Sequence, residues 1–253
     1  MKHLLVDGDW LCFSLACAFT KENPFVEGDV TFDGKLAKSI LDQKIRRASE
    51  ELETDHTVFY FSCDRKTNWR RSIVESYKMN RNGKLSPIGL QPLKDYCTSS
   101  YECVQEPTLE ADDLIGIEAT GKYKGKNVIY SVDKDFLTIP THVYNPVKRL
   151  IKKQTKLGAF KFFIYQVIIG DSSDGYKGIP GAGPKAALRL IGDNAKTLGN
   201  IWEPLVALAE KKKQDEEYLL SQARMAHILQ EGDFNYETKE VKLWEPSYIK
   251  DMI

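Results

Sequence analysis

Carboxylates in this chain stand where chemistry needs them, directly after short runs of β-branched and aromatic residues. Asp7 follows Leu4-Leu5-Val6, Asp64 lies just beyond Phe61-Ser62-Cys63, and Asp133 follows Val128-Ile129-Tyr130-Ser131-Val132. Glu110, Asp112 and Asp113 open a helical pattern, Asp135 comes two residues after Asp133, and Asp171 and Asp174 share the turn Gly170-Asp171-Ser172-Ser173-Asp174-Gly175. Singly, each has a plain structural explanation. Acids in a first helical turn complement the helix dipole, and Asp in Gly/Ser turns bonds local amides. Gathered at one edge, however, they repel and resist ionising together. Cations relieve that conflict, and hard oxygen donors suit Mg²⁺ or Mn²⁺. Two such ions clamp the attacking and leaving oxygens of a phosphodiester displacement. The set therefore points to a carboxylate-rich metal site.

The elements that must position these acids follow from periodicity. Leu4–Val6, Thr57–Phe61 and Val128–Val132 read as buried strands and Tyr101–Val104 as a weaker one. Helices are expected from about Asp9 to Phe19, Lys35 to Leu52, and Leu109 to Thr120 behind a Thr108 cap, with a loop or small hairpin over Asn23–Gly34. Strands alternating with helices imply an α/β fold, a mostly parallel sheet with helices on both faces. The carboxyl ends of such strands share one edge, which carries the ligand crevice. After about Lys156 the texture turns helical: Phe160–Ile169, a Gly-rich turn, a helix from Pro184, a helical stretch over Ala195–Tyr218 whose charged run Glu210–Glu217 is a solvated face, and a late extended segment at Glu240–Trp244. The expected division is a catalytic core over 1–156 and a helical region over 157–253.

Bulk composition bounds the partners less well. Lys+Arg and Asp+Glu tie at 36 each, so only the placement of charge is informative. No stretch has transmembrane length or the pattern of a signal peptide, and a cytoplasmic protein, in the host cytoplasm if phage-encoded, is expected. The five cysteines lack a Cys-x-x-Cys pair and the four histidines are scattered, so zinc is not expected. Basic residues concentrate between Arg65 and Lys84, where Trp69 and Tyr77 interleave with Arg65, Lys66, Arg70, Arg71, Lys78, Arg81 and Lys84 against the single acid Glu75. Cations there would contact phosphates and aromatics would stack unpaired bases. A second basic set, Lys148, Arg149, Lys152, Lys153 and Lys156, is a less specific strand track.

Taken in order, Val6-Asp7-Gly8, Asp64 after a strand, Glu110-Ala111-Asp112-Asp113, Ser131-Val132-Asp133-Lys134-Asp135 and Gly170-Asp171-Ser172-Ser173-Asp174 resemble the bacteriophage 5′→3′ exonuclease and flap endonuclease family. The likeness runs from the first residues to about Gly192, and the ending is similar to the short phage exonucleases. It implies a PIN-like core, a metal-dependent 5′-nuclease activity on DNA 5′ ends or flaps, RNA–DNA hybrids as a further substrate, and a monomer. It maps a two-metal site onto Asp7, Asp64, Glu110, Asp112, Asp113, Asp133, Asp135, Asp171 and Asp174. Trp69-Arg70 and Tyr77-Lys78-Met79-Asn80-Arg81 resemble the family's arch, where Lys78 and Arg81 would act on the scissile phosphate and Arg70 and Tyr77 on the strand. Asp9 departs from the Asn, Ser or Thr of many relatives and reads as an outer-shell acid or a helix cap.

Gly178-Ile179-Pro180-Gly181-Ala182-Gly183-Pro184-Lys185-Ala186 mimics a dinucleotide fingerprint, but a helix and a polar turn precede it where that motif needs a strand. Gly183 before Pro184 suits a helix start, whose free amides hold a phosphate. The stretch resembles the family's helix–three-turn–helix, which grips duplex DNA and seats K⁺. Gly181, Gly183 and Lys185 are its candidate contacts. Two rivals stand beside this reading. A haloacid-dehalogenase-type phosphatase would use Asp7-Gly8-Asp9 and Gly170–Asp174. A DNA-structure-binding module would carry the same acids without activity.

Overall fold

The computed structural model describes residues 1–22, 29–79, 85–195 and 198–252. β1 (His3–Asp7) leads into α1 (Gly8–Phe19), and β2 (Thr20–Glu22) pairs antiparallel with β3 (Val30–Phe32). α2 (Gly34–Leu52) precedes β4 (His56–Phe61), α3 (Leu90–Ser100) precedes β5 (Glu102–Gln105), and α4 (Ala111–Thr120) precedes β6 (Asn127–Tyr130). β7 (His142–Asn145) and β8 (Leu150–Lys153) complete a sheet of order β5-β4-β1-β6-β7-β8. Every pairing in it is parallel except β7 with β8.

β1 lies centrally and is apolar on both faces, as an inner parallel strand must be. Leu4 and Val6 face a cluster with α1, α2 and α3 that includes Leu11, Leu41 and Leu93. Leu5 faces the opposite cluster with Leu114 and Ile115 of α4. All eight of these side chains are fully buried, each contributing about 1.5–3 kcal/mol relative to exposure. Chain connections leave β1 toward β4 and return from β5 to β6, so the topology reverses beside β1. The crevice at such a point, outside the carboxyl ends of the strands, is where α/β sheets bind ligands.

The remainder is helical: α5 (Lys156–Ile169), α6 (Pro184–Asp193), α7 (Trp202–Glu210) and α8 (Glu216–Ala226), then the short pair β9 (Phe234–Asn235) and β10 (Glu240–Val241), and α9 (Ile249–Met252). Phe163, Val167, Leu205, Leu219 and Trp244 fill its core. Each half of the chain lends a segment to the other. Tyr77 belongs to the helical core, whereas Ile228, Leu229 and Phe234 belong to the α4 face of the sheet. Among the described residues no helix is long and apolar enough to cross a membrane.

Several expected boundaries shift. The single helical stretch over 195–218 is instead α7 and α8, separated by a turn in which Lys213 takes φ 62°. Asp215 starts the second helix by accepting the Tyr218 N–H, so the charged run holds a break rather than one solvated face. α4 begins at Ala111 with Glu110, not Thr108, at its cap position. β7 and β8 had no counterpart in the periodicity. The segment 23–28 and the residues 80–84, including Arg81, lie outside the described residues.

Candidate active site

Asp7 ends β1 and caps α1, with its Oδ1 accepting the Trp10 N–H at 3.0 Å. Gly8 is required next. A Cβ there would lie 2.6 Å from the Phe61 ring and 2.8 Å from the Tyr60 carbonyl, so only glycine lets α1 start against the end of β4. Ser131, just beyond β6, donates its hydroxyl to Asp7 Oδ2 at 2.8 Å and accepts the Asp133 N–H at 3.1 Å. Asp133 in turn accepts the Asp135 N–H at 2.9 Å, and Gln166 of α5 donates to Asp135 Oδ1 at 2.6 Å. The strand ends are thus stitched to one another and to the helical half.

Asp171 and Asp174 arrive from the other side, on the turn after α5. That turn depends on two glycines. Gly170 and Gly178 both have positive φ, and a Cβ on Gly178 would meet the Gly170 nitrogen at 2.3 Å. The backbones cross there at a separation no side chain allows. Gln222 Oε1 secures the crossing by accepting the N–H groups of Lys177 and Gly178 at 3.0 and 2.9 Å.

One cavity of about 780 Å³ is lined by Asp7, Asp9, Glu110, Asp112, Asp133, Asp135, Asp171 and Asp174, with Arg65, Lys78, Lys94 and Lys134 among them. Its electrostatics divide. Burial, reinforced by Asp9 and Asp133, pushes Asp7 up to about 7. Burial likewise raises Asp135 to about 7, with Asp133 and Asp174 adding to it. Burial and then Asp133 and Asp7 hold Asp112 well above the usual carboxylate range. Against its burial, Glu110 is drawn down to about 2 by Lys78 and Arg70. Asp171 is also lowered, since hydrogen bonds from Lys134 (2.8 Å) and Ser173 outweigh its burial.

Lys78 sits at the junction of the two groups. Its ammonium donates to Glu110 Oε1 at 2.6 Å and lies 3.4 Å from Asp174 Oδ1. Its backbone takes φ 52°, uncommon for a residue with a Cβ, and its N–H donates to the Asp174 carbonyl at 3.2 Å. Tyr77 donates its hydroxyl to Glu110 Oε2 at 2.6 Å.

Three expectations are corrected. Asp113 does not face the cavity. It is fully buried, and Arg70 grips it with two bonds of 2.7 Å while Trp69 Nε1 and the Leu229 N–H also donate to it. Arg70, expected on a DNA strand, is 3% exposed and gives two further N–H groups to Glu110 and the His227 carbonyl. Tyr77 is 4% exposed and packs in the helical core, so its ring presents no stacking face. Asp64 is exposed between Cys63 and Arg65, which line the cavity, and accepts the Lys66 N–H at 2.8 Å. Of the remaining candidates, Gly181, Gly183 and Lys185 are exposed at the start of α6, away from this cavity, and a Cβ on Gly183 would meet nothing.

Sequence reasoning missed Ser131, Gln166 and Lys134 as partners of the acids. Gln166 had a signal, because it is a lone amide in the apolar run Phe162–Ile169 and is 2% exposed. Lys94 had none. It reaches across from α3 to Asp9, whose other oxygen accepts the Ser62 N–H at 2.8 Å. Asp9 therefore braces α1 against α3 and the end of β4 rather than capping a helix.

Among the described residues no three acids converge on one point as they stand; Asp7, Glu110, Asp133, Asp135 and Asp171 are each turned toward a local amide, hydroxyl or cation. The donor set is nonetheless all oxygen and lines one cavity. Comparison with known proteins agrees with the topology. A family model described as 5′-3′ exonuclease, N-terminal resolvase-like domain, matches residues 2–162. The exodeoxyribonuclease of Enterobacteria phage T3 is 29% identical, over 96% of this chain and 92% of that protein. The exonuclease of Escherichia phage T7 is 28% identical, over 96% and 93%. The fold is shared with the T5 5′-exonuclease bound to zinc, at TM-score 0.71 and 17% identity over 100% of this chain and 93% of that one.

Proposed function

The chain belongs to the 5′-3′ exonuclease family, and from that premise we propose that it is a divalent-metal-dependent nuclease cleaving DNA at 5′ ends or flaps. The observation that carries this reading is the cavity wall, where Asp7, Asp112, Asp133, Asp135, Asp171 and Asp174 meet with Lys78 at the junction. The fit to Mg²⁺ or Mn²⁺ rests on donor chemistry: only oxygen ligands, several of them disfavoured as anions by burial and by one another. Two ions bound there would activate the attacking water and neutralise charge on the leaving 3′-oxygen.

The chain's own groups do the positioning. Ser131 fixes one face of the Asp7 carboxylate and Gln166 fixes Asp135. Lys78, swung from Glu110 toward the substrate, would supply the cation at the scissile phosphate; Arg81 is the second candidate for that role. Gly181, Gly183 and Lys185 remain the candidate contact to duplex phosphate, with K⁺ at the same turn. The phosphatase alternative loses its support, because it uses Asp7 and the Asp171 turn but leaves Lys78, Glu110 and Asp112 without work.

The test is a set of 5′- and 3′-labelled duplex, flap and RNA–DNA hybrid substrates, incubated with Mg²⁺ or EDTA. Metal-dependent release from the 5′ side is expected. Release from the 3′ side, or cleavage unchanged in EDTA, overturns the reading.

A further inference from the structure

Residues 146–156 read Pro-Val-Lys-Arg-Leu-Ile-Lys-Lys-Gln-Thr-Lys, with five cations and no acid, in a chain whose 36 basic and 36 acidic residues balance. Because β7 runs parallel to β6, the turn that follows it emerges at the same sheet edge as Asp7 and Asp133. β8 stands two strand spacings from β6, about 10 Å away. The turn is preformed, with Asn145 Oδ1 accepting the N–H groups of Val147 and Lys148 at 3.1 and 2.9 Å and Arg149 at φ 49°. β8 then descends the outer flank of the sheet with all four residues exposed. From Arg149 to Lys153 it carries charge over about 13 Å.

These cations differ from those at the cavity. Lys78, Lys94 and Lys134 each hold an acid. None of Lys148, Arg149, Lys152, Lys153 and Lys156 forms an ion pair with a described acid. Lysines do protect sheet edges from pairing with other chains. That role accounts for Lys152 and Lys153 on the strand itself. It does not account for Lys148 and Arg149 in the turn, where no strand edge needs protection, nor for Lys156 beyond it.

We propose that the β7–β8 turn and β8 form a sequence-independent docking ridge for the sugar–phosphate backbone of DNA that continues past the acid cavity on the β7 side. The inference rests on the nuclease reading above, since it assigns a surface to that enzyme's substrate. Its chemistry is simple: unpaired exposed cations exchange their place beside phosphates for condensed counterions, and affinity then depends on salt. An acidic protein segment is the competing occupant.

The experiment compares wild type, Lys148→Glu/Arg149→Glu and Lys152→Glu/Lys153→Glu, with melting temperatures confirming that each variant is folded. Binding of a fluorescent duplex in EDTA is measured from 50 to 200 mM salt, and single-turnover cleavage is measured at saturating DNA with Mg²⁺. The expected result is weaker binding and a salt slope shallower by about 2 in each variant, at about 0.9 per phosphate contact, with the saturated cleavage rate retained. A wild-type slope and affinity in both variants overturns the ridge while leaving the nuclease reading intact. Polyglutamate that binds wild type but not the variants, with DNA affinity unchanged, assigns the surface to an acidic protein instead. Failure of wild type to bind or cleave any DNA overturns both readings together.

Discussion

Asp112 and Asp113 are adjacent on α4 and differ in everything but chemistry. Asp113 ends in a buried bidentate pair with Arg70, so Asp113→Asn removes the doubly bonded counter-charge and leaves the guanidinium only its single ionic contact with Glu110. Breaking such a pair costs about 3–5 kcal/mol, and a melting temperature close to wild type would disprove the structural assignment. Asp112→Asn should do the reverse: abolish Mg²⁺-dependent cleavage while the metal-free protein melts at the same or a higher temperature, because a carboxyl that burial, Asp133 and Asp7 disfavour as an anion has been replaced by a neutral amide. Asp133→Asn should behave like Asp112→Asn. The same conflicts set a pH dependence for the metal-free protein. Asp7 and Asp135, raised to about 7 in the fold, keep protons that the unfolded chain has lost above its ordinary carboxylate pKa. Their contribution to stability therefore falls as pH rises from about 4 to 7. Glu110, lowered to about 2, contributes stability above about 4.5 that is lost as pH falls toward 2. Metal-free melting should thus decline from pH 5 to 8, and Mg²⁺ should reverse the decline; a rise over that range in EDTA would contradict the crowding. The crowding itself was legible in the sequence, since each cavity acid except Asp9 follows a strand or opens a turn. The difference between Asp112 and Asp113 was not, because it depends on which side of α4 meets Arg70, a residue 43 positions away.

At the scale of elements, the acid-bearing turn 171–174 is held in place by the crossing of Gly170 and Gly178. Gly178→Ala forces a Cβ into the Gly170 nitrogen and the Ile168 carbonyl, at a φ of 62°. The expected result is a large loss of stability and of cleavage together, because Asp171 and Asp174 move with the turn. Gly192→Ala is the matched control. It lies in the last turn of α6 with nothing within 4 Å of its added Cβ, where alanine is favoured over glycine by at most about 1 kcal/mol. Its melting temperature should rise slightly with activity unchanged; equal effects of the two substitutions would remove the crossing from the account. Elements like β1, β4 and α5 were readable because continuous apolar runs must be buried on all sides. β7 and β8 were not, being four residues each, with β8 half lysine and wholly exposed. The break between α7 and α8 was hidden for the same kind of reason. Charged residues are good helix formers, and only the Asp215 cap marks the restart.

At the scale of the molecule, the two halves are joined through their exchanged segments rather than laid side by side. Residues 228–229 lie on α4 so closely that a Cβ on Gly116 would come within 2.3 Å of the Leu229 carbonyl and 2.7 Å of the Ile228 side chain. The His227 carbonyl and the Leu229 N–H complete the shell around Arg70 and Asp113, and Arg70 in turn bonds Glu110, the partner of Lys78. A path of direct contacts therefore runs from the C-terminal segment to the residue proposed to act on the phosphate. Gly116→Ala tests it without touching the cavity. The added methyl must push 228–229 off the helix, and overpacking of this kind costs about 1–3 kcal/mol. If the shell positions Lys78, single-turnover cleavage should fall in the folded variant while duplex affinity and its salt slope hold, because no DNA-facing cation has changed. Deleting residues 227–253 should go further and remove the cooperative unfolding transition, since Trp244 leaves the helical core as Leu229 leaves the sheet. A Gly116→Ala protein that melts lower yet cleaves at the wild-type rate would show that the joint holds the halves together without setting the position of Lys78.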